Sequence, residues 1–172
     1  MACTTPIPSG TVTVTLPGKP DTAKLNYREE VHHPALPFPK VTTGTLAIAP
    51  NGRLIRHQLT PVVEIVEIGE DVLFVRKGEE GEPNMLPIPD RMQGLFGFLR
   101  KVASAQDRSI DIHEDQLREA DPAGWRALLG TYAEETKIWV LGCNNHALGF
   151  LVQGGDGIQR RTLFETAQDR AE

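Results

Sequence analysis

Few residues of this chain have the types and spacing that chemistry at an active site requires. Cys143 and His146 flank two asparagines, so a tight turn could bring a thiol and an imidazole together for nucleophilic catalysis. No acidic or amide side chain nearby is placed to orient the imidazole, and an Asn-Asn pair is typical of a hairpin turn with positive φ. We interpret residues 143–146 as a turn, with an acyl-ester hydrolase as the less favoured alternative.

The other histidines are poorly placed for a metal site. His32 and His33 are adjacent, so in a strand their side chains point to opposite faces, and Pro34 favours a solvated loop. His113 lies in a charged segment, and His57 lies in an alternating strand pattern. No phosphate-binding glycine loop, serine elbow or zinc-binding helix motif occurs. The sequence therefore predicts no metal, no cofactor and no enzymatic activity.

Composition narrows the class of protein. The chain has 172 residues, a net charge of −5, 40% hydrophobic residues and 24% charged residues. This length suits one domain, which would bury roughly 70% of the surface that its unfolded chain exposes. The acidic balance argues against a nucleic-acid partner, and no apolar run approaches the ~18 residues of a membrane span. We expect a single-domain monomer.

The two ends of the chain are predicted to be tails. Residues 1–22 are rich in Pro, Ser, Thr and Gly around an alternating run at 11–16, which predicts a flexible tail with an edge strand. The domain is expected at 23–167, with a second tail at 168–172. The start resembles a trimmed mature sequence behind an added Met, and Cys3 is a candidate for lipidation, with an ordinary exposed cysteine as the alternative. We expect no intramolecular disulfide.

The strongest structural signal is a β-hairpin at residues 44–61, where two alternating apolar runs flank Asn51 and Gly52. Short connections around it predict an antiparallel meander. Residues 110–119 are ambiguous between strand and helix. The other predicted strands cover residues 27–31, 41–49, 53–59, 62–68, 71–77, 125–132, 137–143, 147–153 and 158–165.

One amphipathic helix interrupts the meander. Apolar residues between Met92 and Ala103 recur at helical spacing, and Asp90 is placed to cap the helix. Residues 62–68 and 72–75 are apolar on both faces of their strands. Either other layers cover both faces as an ordinary core, or the sheet curves so that one face lines an apolar space closed by the helix.

The hairpin sequence is similar to the early hairpin of LolA-like outer-membrane lipoprotein carriers. The similarity extends, in the order of its motifs, over residues 25–165, although residues 21–24 lack the signal for the opening helix of the family. The matching residues are Gly44-x-Leu46-x-Ile48-x-Pro50-x-x-Leu54-x-Arg56 with Pro61, then Leu86-Pro87-x-Pro89 before the helix, and Gly155-Asp156-Gly157 between the last strands.

This resemblance implies a mainly β (α+β) fold, in which a curved antiparallel sheet forms a half-barrel and one or more helices cover the concave face. It implies a non-enzymatic periplasmic carrier or acceptor of lipoproteins or other acylated molecules, which are bound non-covalently in an apolar cavity. Its partners would be acyl chains and envelope transport proteins, and a lipidated Cys3 would anchor it to the outer membrane. The alternative from another class is a structural or adaptor domain that acts through protein–protein contacts.

The candidate ligand-binding residues are apolar, and each wall residue is more safely assigned to an ordinary core position than to a ligand contact. The helix residues expected to plug the cavity are Met92, Leu95, Phe96 and Leu99. The residues expected to form its walls are Leu46, Ile48, Leu54, Val63, Ile65, Phe74, Trp139, Leu148 and Phe150.

Overall fold

The computed structural model describes Cys3 and residues 11–16, 24–103, 109–119, 124–132 and 135–165. Within these ranges, helix α1 spans Gln93–Ala103 and directly follows a 3-10 turn at Asp90–Met92. None of the helices in these ranges has the length and apolar character needed to cross a bilayer. The strands are β1 (Thr11–Thr15), β2 (Leu25–His32), β3 (Lys40–Ile48), β4 (Leu54–Thr60), β5 (Glu64–Ile68), β6 (Val72–Lys77), β7 (Asn84–Pro87), β8 (Ser109–His113), β9 (Leu117–Glu119), β10 (Trp125–Tyr132), β11 (Thr136–Cys143), β12 (His146–Gln153) and β13 (Gln159–Phe164).

The strands of the described ranges form one sheet. Its path runs β7-β6-β5-β4-β3-β2-β13-β12-β11-β10-β9, with antiparallel neighbours throughout. Strand β1 lies off this path, antiparallel to β8 and joined to β12 by one parallel bridge between Thr15 and His146. The sheet is curved and does not close into a barrel, so the predicted mainly β, antiparallel architecture is confirmed.

The hairpin predicted at residues 44–61 is confirmed as β3 and β4. Its loop has three residues, because the backbone N–H of Ala49 donates to the carbonyl oxygen of Arg53 at 2.8 Å. Gly52 has φ +80°, a left-handed conformation that glycine adopts without steric cost. The side chain of Asn51 accepts the N–H of Arg53 at 3.0 Å and stabilises this loop.

Alternation along the strands gives the sheet two distinct faces. Helix α1 packs on one of these faces, which we call the helix face. This face carries the buried side chains of Leu46, Leu54 and Ile68 on adjacent strands. We call the opposite side the outer face. Because Leu95 and Leu99 of α1 join the same cluster of buried side chains, the helix and the sheet share one core.

Several local expectations need correction. Residues 110–119 form β8, a 3-10 turn at Glu114–Gln116 and β9 rather than one element. Asp90 lies inside its 3-10 turn, whose N-cap is Pro89, without a side-chain capping bond. The strand predicted within the N-terminal tail is confirmed as β1, but Val14 and Leu16 lie in the core, so this strand is packed rather than part of a flexible tail. Two predicted segments lie wholly or mainly outside the described residues. They are the C-terminal tail at 168–172 and the N-terminal tail, of which residues 1–2, 4–10 and 17–22 are not described.

The two cysteines form a disulfide between positions 140 residues apart. Cys3 and Cys143 have a Cα–Cα separation of 5.2 Å, which suits a disulfide. The expectation of no intramolecular bridge is therefore wrong. Lipidation of Cys3 is also contradicted, because a thioether to a lipid needs the sulfur atom that Cys143 occupies here. Sequence spacing could not reveal this pair, since the fold alone brings the two positions together.

Candidate ligand-binding site

Helix α1 seats its apolar side on the helix face of the sheet. Leu95, Phe98 and Leu99 are about as buried as the sheet residues beneath them, with 4–5% of each side chain exposed. The rings of Phe98 and Phe150 meet edge to face, with centroids 6.3 Å apart and planes at 79°. Such aromatic pairs add roughly 0.5–1.5 kcal/mol to the effect of burial. The helix is thus held mainly by apolar contact.

Arg100 supplies polar bonds between α1 and the ends of two sheet hairpins. Its Nη2 donates to the carbonyl oxygen of Ile68 at 3.2 Å and also to that of Gly69. Its Nη1 donates to the carbonyl oxygen of Gly52, in the β3–β4 loop, at 3.5 Å. One long side chain therefore fixes the helix to both hairpin ends, and the sequence analysis missed it because its acceptors are backbone atoms.

The structure places the predicted wall residues on both faces of the sheet. Leu46, Ile48, Leu54 and Phe150 lie in or against the core beneath α1. Ile65 pairs with His57, Phe74 with Glu67 and Trp139 with Leu151, positions that alternate with the core and so lie on the outer face. Val63 lies in the loop between β4 and β5. Leu148, at a bulge in β12, lines a groove on the outer face.

The predicted plug residues all lie at the helix–sheet contact. Leu95 and Leu99 are buried, and Met92 and Phe96 are partly buried against the core. The sequence analysis left out Phe98, which is as buried as Leu95. The spacing of Leu95 and Phe98 is one that places two residues on the same side of a helix, so this signal was present in the sequence.

A polar cluster on the helix face lies beyond the apolar area, and we call it the Glu29 cluster. The carboxylate of Glu29 accepts from Arg160 at 3.2 Å, from Arg56 at 3.3 Å and from the hydroxyl of Thr162 at 3.1 Å. Glu29 is only 6% exposed. Two guanidinium groups and one hydroxyl offset the cost of removing this charge from water.

Tyr27 lies beside the Glu29 cluster with its hydroxyl buried and without a hydrogen-bond partner among the described residues. Burial raises the pKa of Tyr27 from 10.0 to about 12, and the negative charges of Glu29 and Glu64 add to this while Arg56 opposes it. A Cβ on Gly44 would lie 2.7 Å from the Tyr27 hydroxyl oxygen and 2.1 Å from a backbone oxygen. The glycine of the hairpin motif is thus a packing requirement.

The outer face contains a groove of about 460 Å³ that crosses β13, β12, β11 and β10. Leu141, Leu151 and Leu163 contribute apolar lining, while Arg126 and Arg161 also line it. The Nε atoms of both arginines are buried without a hydrogen-bond partner among the described residues. The groove therefore combines an apolar lining with cationic groups whose polar capacity is partly unused.

The residues considered for catalysis or metal binding have other roles. The sulfur atom of Cys143 belongs to the disulfide, so the thiol that the hydrolase hypothesis needs is absent from this structure. Asn144 has φ +50° in the two-residue turn before His146, which confirms the predicted turn. His33 accepts the N–H of Ala35 at 3.1 Å. In the described part of the chain, no three His, Cys, Asp or Glu side chains gather to hold a metal ion.

Comparison with known proteins gave one kind of match. No protein-family model matches the chain, and no curated protein matches it. Among solved structures, the chain is similar to the crystal structure of the LolA superfamily protein NE2245 from Nitrosomonas europaea. The likeness has 9% sequence identity, covers 87% of this chain and 86% of that chain, and has a TM-score of 0.45. That structure bears the name of the family that the sequence resembles.

Proposed function

We propose that this chain is a non-enzymatic carrier of acylated or other hydrophobic molecules, with a binding site between α1 and the helix face of the sheet. The observation that carries the proposal is the way α1 is held. Its apolar side covers a broad apolar area of an open sheet, and the side-chain bonds of Arg100 end on hairpin carbonyls. The helix thus acts as a lid. This is also the function that the resemblance of the hairpin sequence implies.

Such a lid competes with the cargo for the same apolar surface. Burial of each methylene group contributes roughly 0.8 kcal/mol, so an acyl chain of ordinary length can replace the contacts of Leu95, Phe98 and Leu99. The closed and loaded states then differ by a small free energy, and contact with another protein can shift the balance. Loading and release follow from this competition and need no chemical step.

The Glu29 cluster would limit how far an apolar chain extends along the helix face. Its charged and hydroxyl groups lie on the same face as Leu46 and Leu54 but toward the opposite end of β2 and β3. An acyl chain gains nothing by covering ion-paired groups, since it cannot replace their hydrogen bonds. We therefore propose that the acyl chain binds under α1, on the helix face of the sheet.

The disulfide supports a location outside the cytosol. Disulfides persist in oxidising compartments such as the bacterial periplasm and are rare where glutathione keeps thiols reduced. The pair of Cys3 and Cys143 closes a long loop, as in structural disulfides. We propose a periplasmic monomer that exchanges lipoprotein acyl chains or similar cargo with envelope transport proteins.

The test uses N-phenyl-1-naphthylamine, an uncharged probe whose fluorescence rises in an apolar site. We expect the wild-type protein to bind the probe and Arg100→Ala to bind it at least several-fold faster, because the lid loses its bonds to Ile68, Gly69 and Gly52. Leu99→Asp should abolish binding by placing a charge at the lid contact. Circular dichroism must show that the sheet is retained in each variant.

Arg53→Ala is the matched control. Arg53 lies next to Gly52 but pairs with Glu67 at 3.2 Å and lies over the ring of Phe74, on the outer face. The Arg53→Ala variant should take up the probe at the same rate as the wild type. The absence of probe binding in both the wild type and Arg100→Ala would overturn the carrier proposal.

One observation favours the adaptor as a second candidate. Large apolar side chains are exposed at the end of the sheet where β2 ends, β3 begins and β4 ends, and Phe38 alone is 80% exposed. Exposed apolar patches of this kind are typical of protein-contact surfaces. If the protein is an adaptor, neither the wild type nor the lid variant binds the neutral probe. The patch consists of Leu36, Phe38, Val41, Leu59 and Val62.

A further inference from the structure

We propose that the outer groove is a second binding site, which takes a single-chain amphiphile with an anionic head, and that Arg161 binds that head. The site is on the face opposite the lid, so it is distinct from the carrier site. Its volume of about 460 Å³ lies within the range of roughly 300–1,000 Å³ typical of small-molecule sites. Three features of the groove carry the proposal: an arginine without a partner among the described residues, an apolar floor and an excess of positive charge in the described lining.

The guanidinium of Arg161 has no ion-pair or hydrogen-bond partner among the residues that the structure describes. Its Nε is buried and makes no hydrogen bond within the described part of the chain. The acidic residue across from it on β2 is Glu30, whose carboxylate is bonded to Arg28 at 2.6 Å and lies 3.5 Å from His32. A partly buried cation without an anion is costly, and an arginine fork binds a carboxylate or phosphate with two parallel hydrogen bonds.

The floor of the groove suits an alkyl chain. Leu151 lies directly across from Arg161, and Leu163 and Leu141 flank Gly149 on the next row of the sheet. Gly149 has no side chain, and a Cβ there would lie 1.9 Å from the carbonyl oxygen of Thr162. A larger residue does not fit at this position, so no side chain rises from the sheet between the two leucines. The three leucines therefore border a shallow channel across the strands.

A fixed pair of side chains on β10 and β11 lies beside the channel. The guanidinium of Arg126 lies over the ring of Trp139, 4.4 Å from the ring centroid. The indole N–H of Trp139 donates to the side-chain oxygen of Gln153 at 2.8 Å. Since the charge of Arg126 already faces an aromatic ring, Arg161 is the free anchor for an anionic head.

The charge of the groove selects an anion. Its described lining contains Arg126, Arg161, His32 and His33 and no Asp or Glu, although the whole chain has a net charge of −5. A positive, leucine-floored groove on an acidic protein is complementary to a fatty carboxylate, with the head at Arg161 and the chain toward Trp139. The amide side chain of Gln159 also lines the groove and can donate to the same head group.

The experiment titrates ¹⁵N-labelled protein with decanoate, decan-1-ol and acetate and follows the backbone amide resonances. We expect decanoate to shift the amides of Gly149, Leu151 and Leu163, and not those of Leu46 and Leu54 on the helix face. Decan-1-ol should bind at least 10-fold more weakly because it lacks the charge that Arg161 pairs with. Acetate should give no saturable shift at millimolar concentration because it lacks the chain.

Arg161→Gln should weaken decanoate binding 10- to 100-fold and leave decan-1-ol unchanged, while Arg161→Lys should recover part of the loss. Arg76→Gln is the matched control, since Arg76 is a partly buried arginine on the outer face of β6, away from the groove. It should bind decanoate as the wild type does. Leu151→Glu is a second test that does not depend on how the Arg161 variants fold. It places an anion on the floor of the groove and should abolish decanoate binding.

Three results would overturn the proposal. Equal affinity for decanoate and decan-1-ol would mean that Arg161 does not recognise the head. Equal affinity for decanoate and acetate would mean a simple anion site without a place for the chain. Decanoate shifts confined to the helix face would assign the ligand to the carrier site alone.

Discussion

The hydroxyl of Thr162 donates to Oε2 of Glu29 at 3.1 Å, although the two residues are 133 positions apart in the chain. They face each other across β2 and β13, the pair of strands that joins the N-terminal meander to the C-terminal one. Arg160 reaches the same carboxylate from β13. One buried acid thus adds side-chain bonds to the backbone ladder that joins the two halves of the sheet.

Replacement of Glu29 should lower the stability of the folded protein. We expect Glu29→Gln to lower the free energy of unfolding by about 3 kcal/mol, because Arg56 and Arg160 lose their shared anion while Glu29 is buried. Urea denaturation at pH 7 measures the change. Glu30→Gln is the control on the same strand. Its partner Arg28 is largely exposed, so the loss should stay below about 1 kcal/mol. Equal losses in the two variants would contradict the assigned role.

Stability should fall at alkaline pH through Tyr27. Its pKa is raised from 10.0 to about 12 in the folded state, so the folded protein keeps this proton longer than the unfolded chain. The stabilisation is complete below pH 10 and is lost as the pH rises from 10 to 12, by up to roughly 2–3 kcal/mol. Urea unfolding between pH 8 and pH 11.5 measures this dependence.

Tyr27→Phe is the control for that pH dependence. The hydroxyl has no hydrogen-bond partner in the described structure, so its removal should not destabilise the protein at pH 7. The variant should keep the alkaline loss that lysines cause and lose the part that belongs to Tyr27. An unchanged pH profile in the variant would show that the phenol does not titrate with folding.

Reduction of the disulfide should destabilise the protein. Cys3 and Cys143 are 140 residues apart, and closure of so long a loop restricts the unfolded chain by about 5 kcal/mol at most in the chain-entropy model, with 2–4 kcal/mol typical. We expect a phosphine reductant to lower the urea midpoint of the wild type. Cys143→Ser should show the lower midpoint with or without reductant. A wild-type midpoint that does not respond to reductant would contradict a structural role.

Two glycines should respond in opposite directions to alanine. Gly97 lies in α1 with open space where a Cβ would be, so Gly97→Ala should stabilise the protein by about 0.5–1 kcal/mol through helix propensity. Gly44→Ala would place a methyl group 2.1 Å from the backbone oxygen of His57 and should cost more than about 2 kcal/mol. Thermal denaturation of both variants checks the signs.

The elements of this fold could be predicted better than its contacts. Hairpin signals and alternation located the strands from residue 40 to 77 and from 125 to 164 to within a few residues, because both are local properties of the chain. Helical spacing likewise predicted the residues by which the segment at 92–99 packs against the sheet. The resemblance to LolA-like carriers rested on the same local motifs.

The site could be predicted only in part, because the face of the sheet on which a residue lies depends on the register of its strand. In strands that are apolar on both sides, a shift of one residue exchanges the faces, so Ile65, Phe74 and Trp139 were grouped with Leu54 although they lie on the other side of the sheet. Arg161 and Arg100 were missed because their surroundings come from strands and turns far away in sequence. The disulfide was missed for the same reason.

The strand path from β7 to β9 has two end strands, and both discourage other strands from joining. Strand β7 follows Pro83 and ends at Pro87, residues that have no amide hydrogen to offer, and β9 at the other end spans only three residues. Copies of the chain therefore have poor templates for adding strands at these two ends. An unclosed sheet of this kind is in this way protected at its two path ends from polymerising along its own backbone.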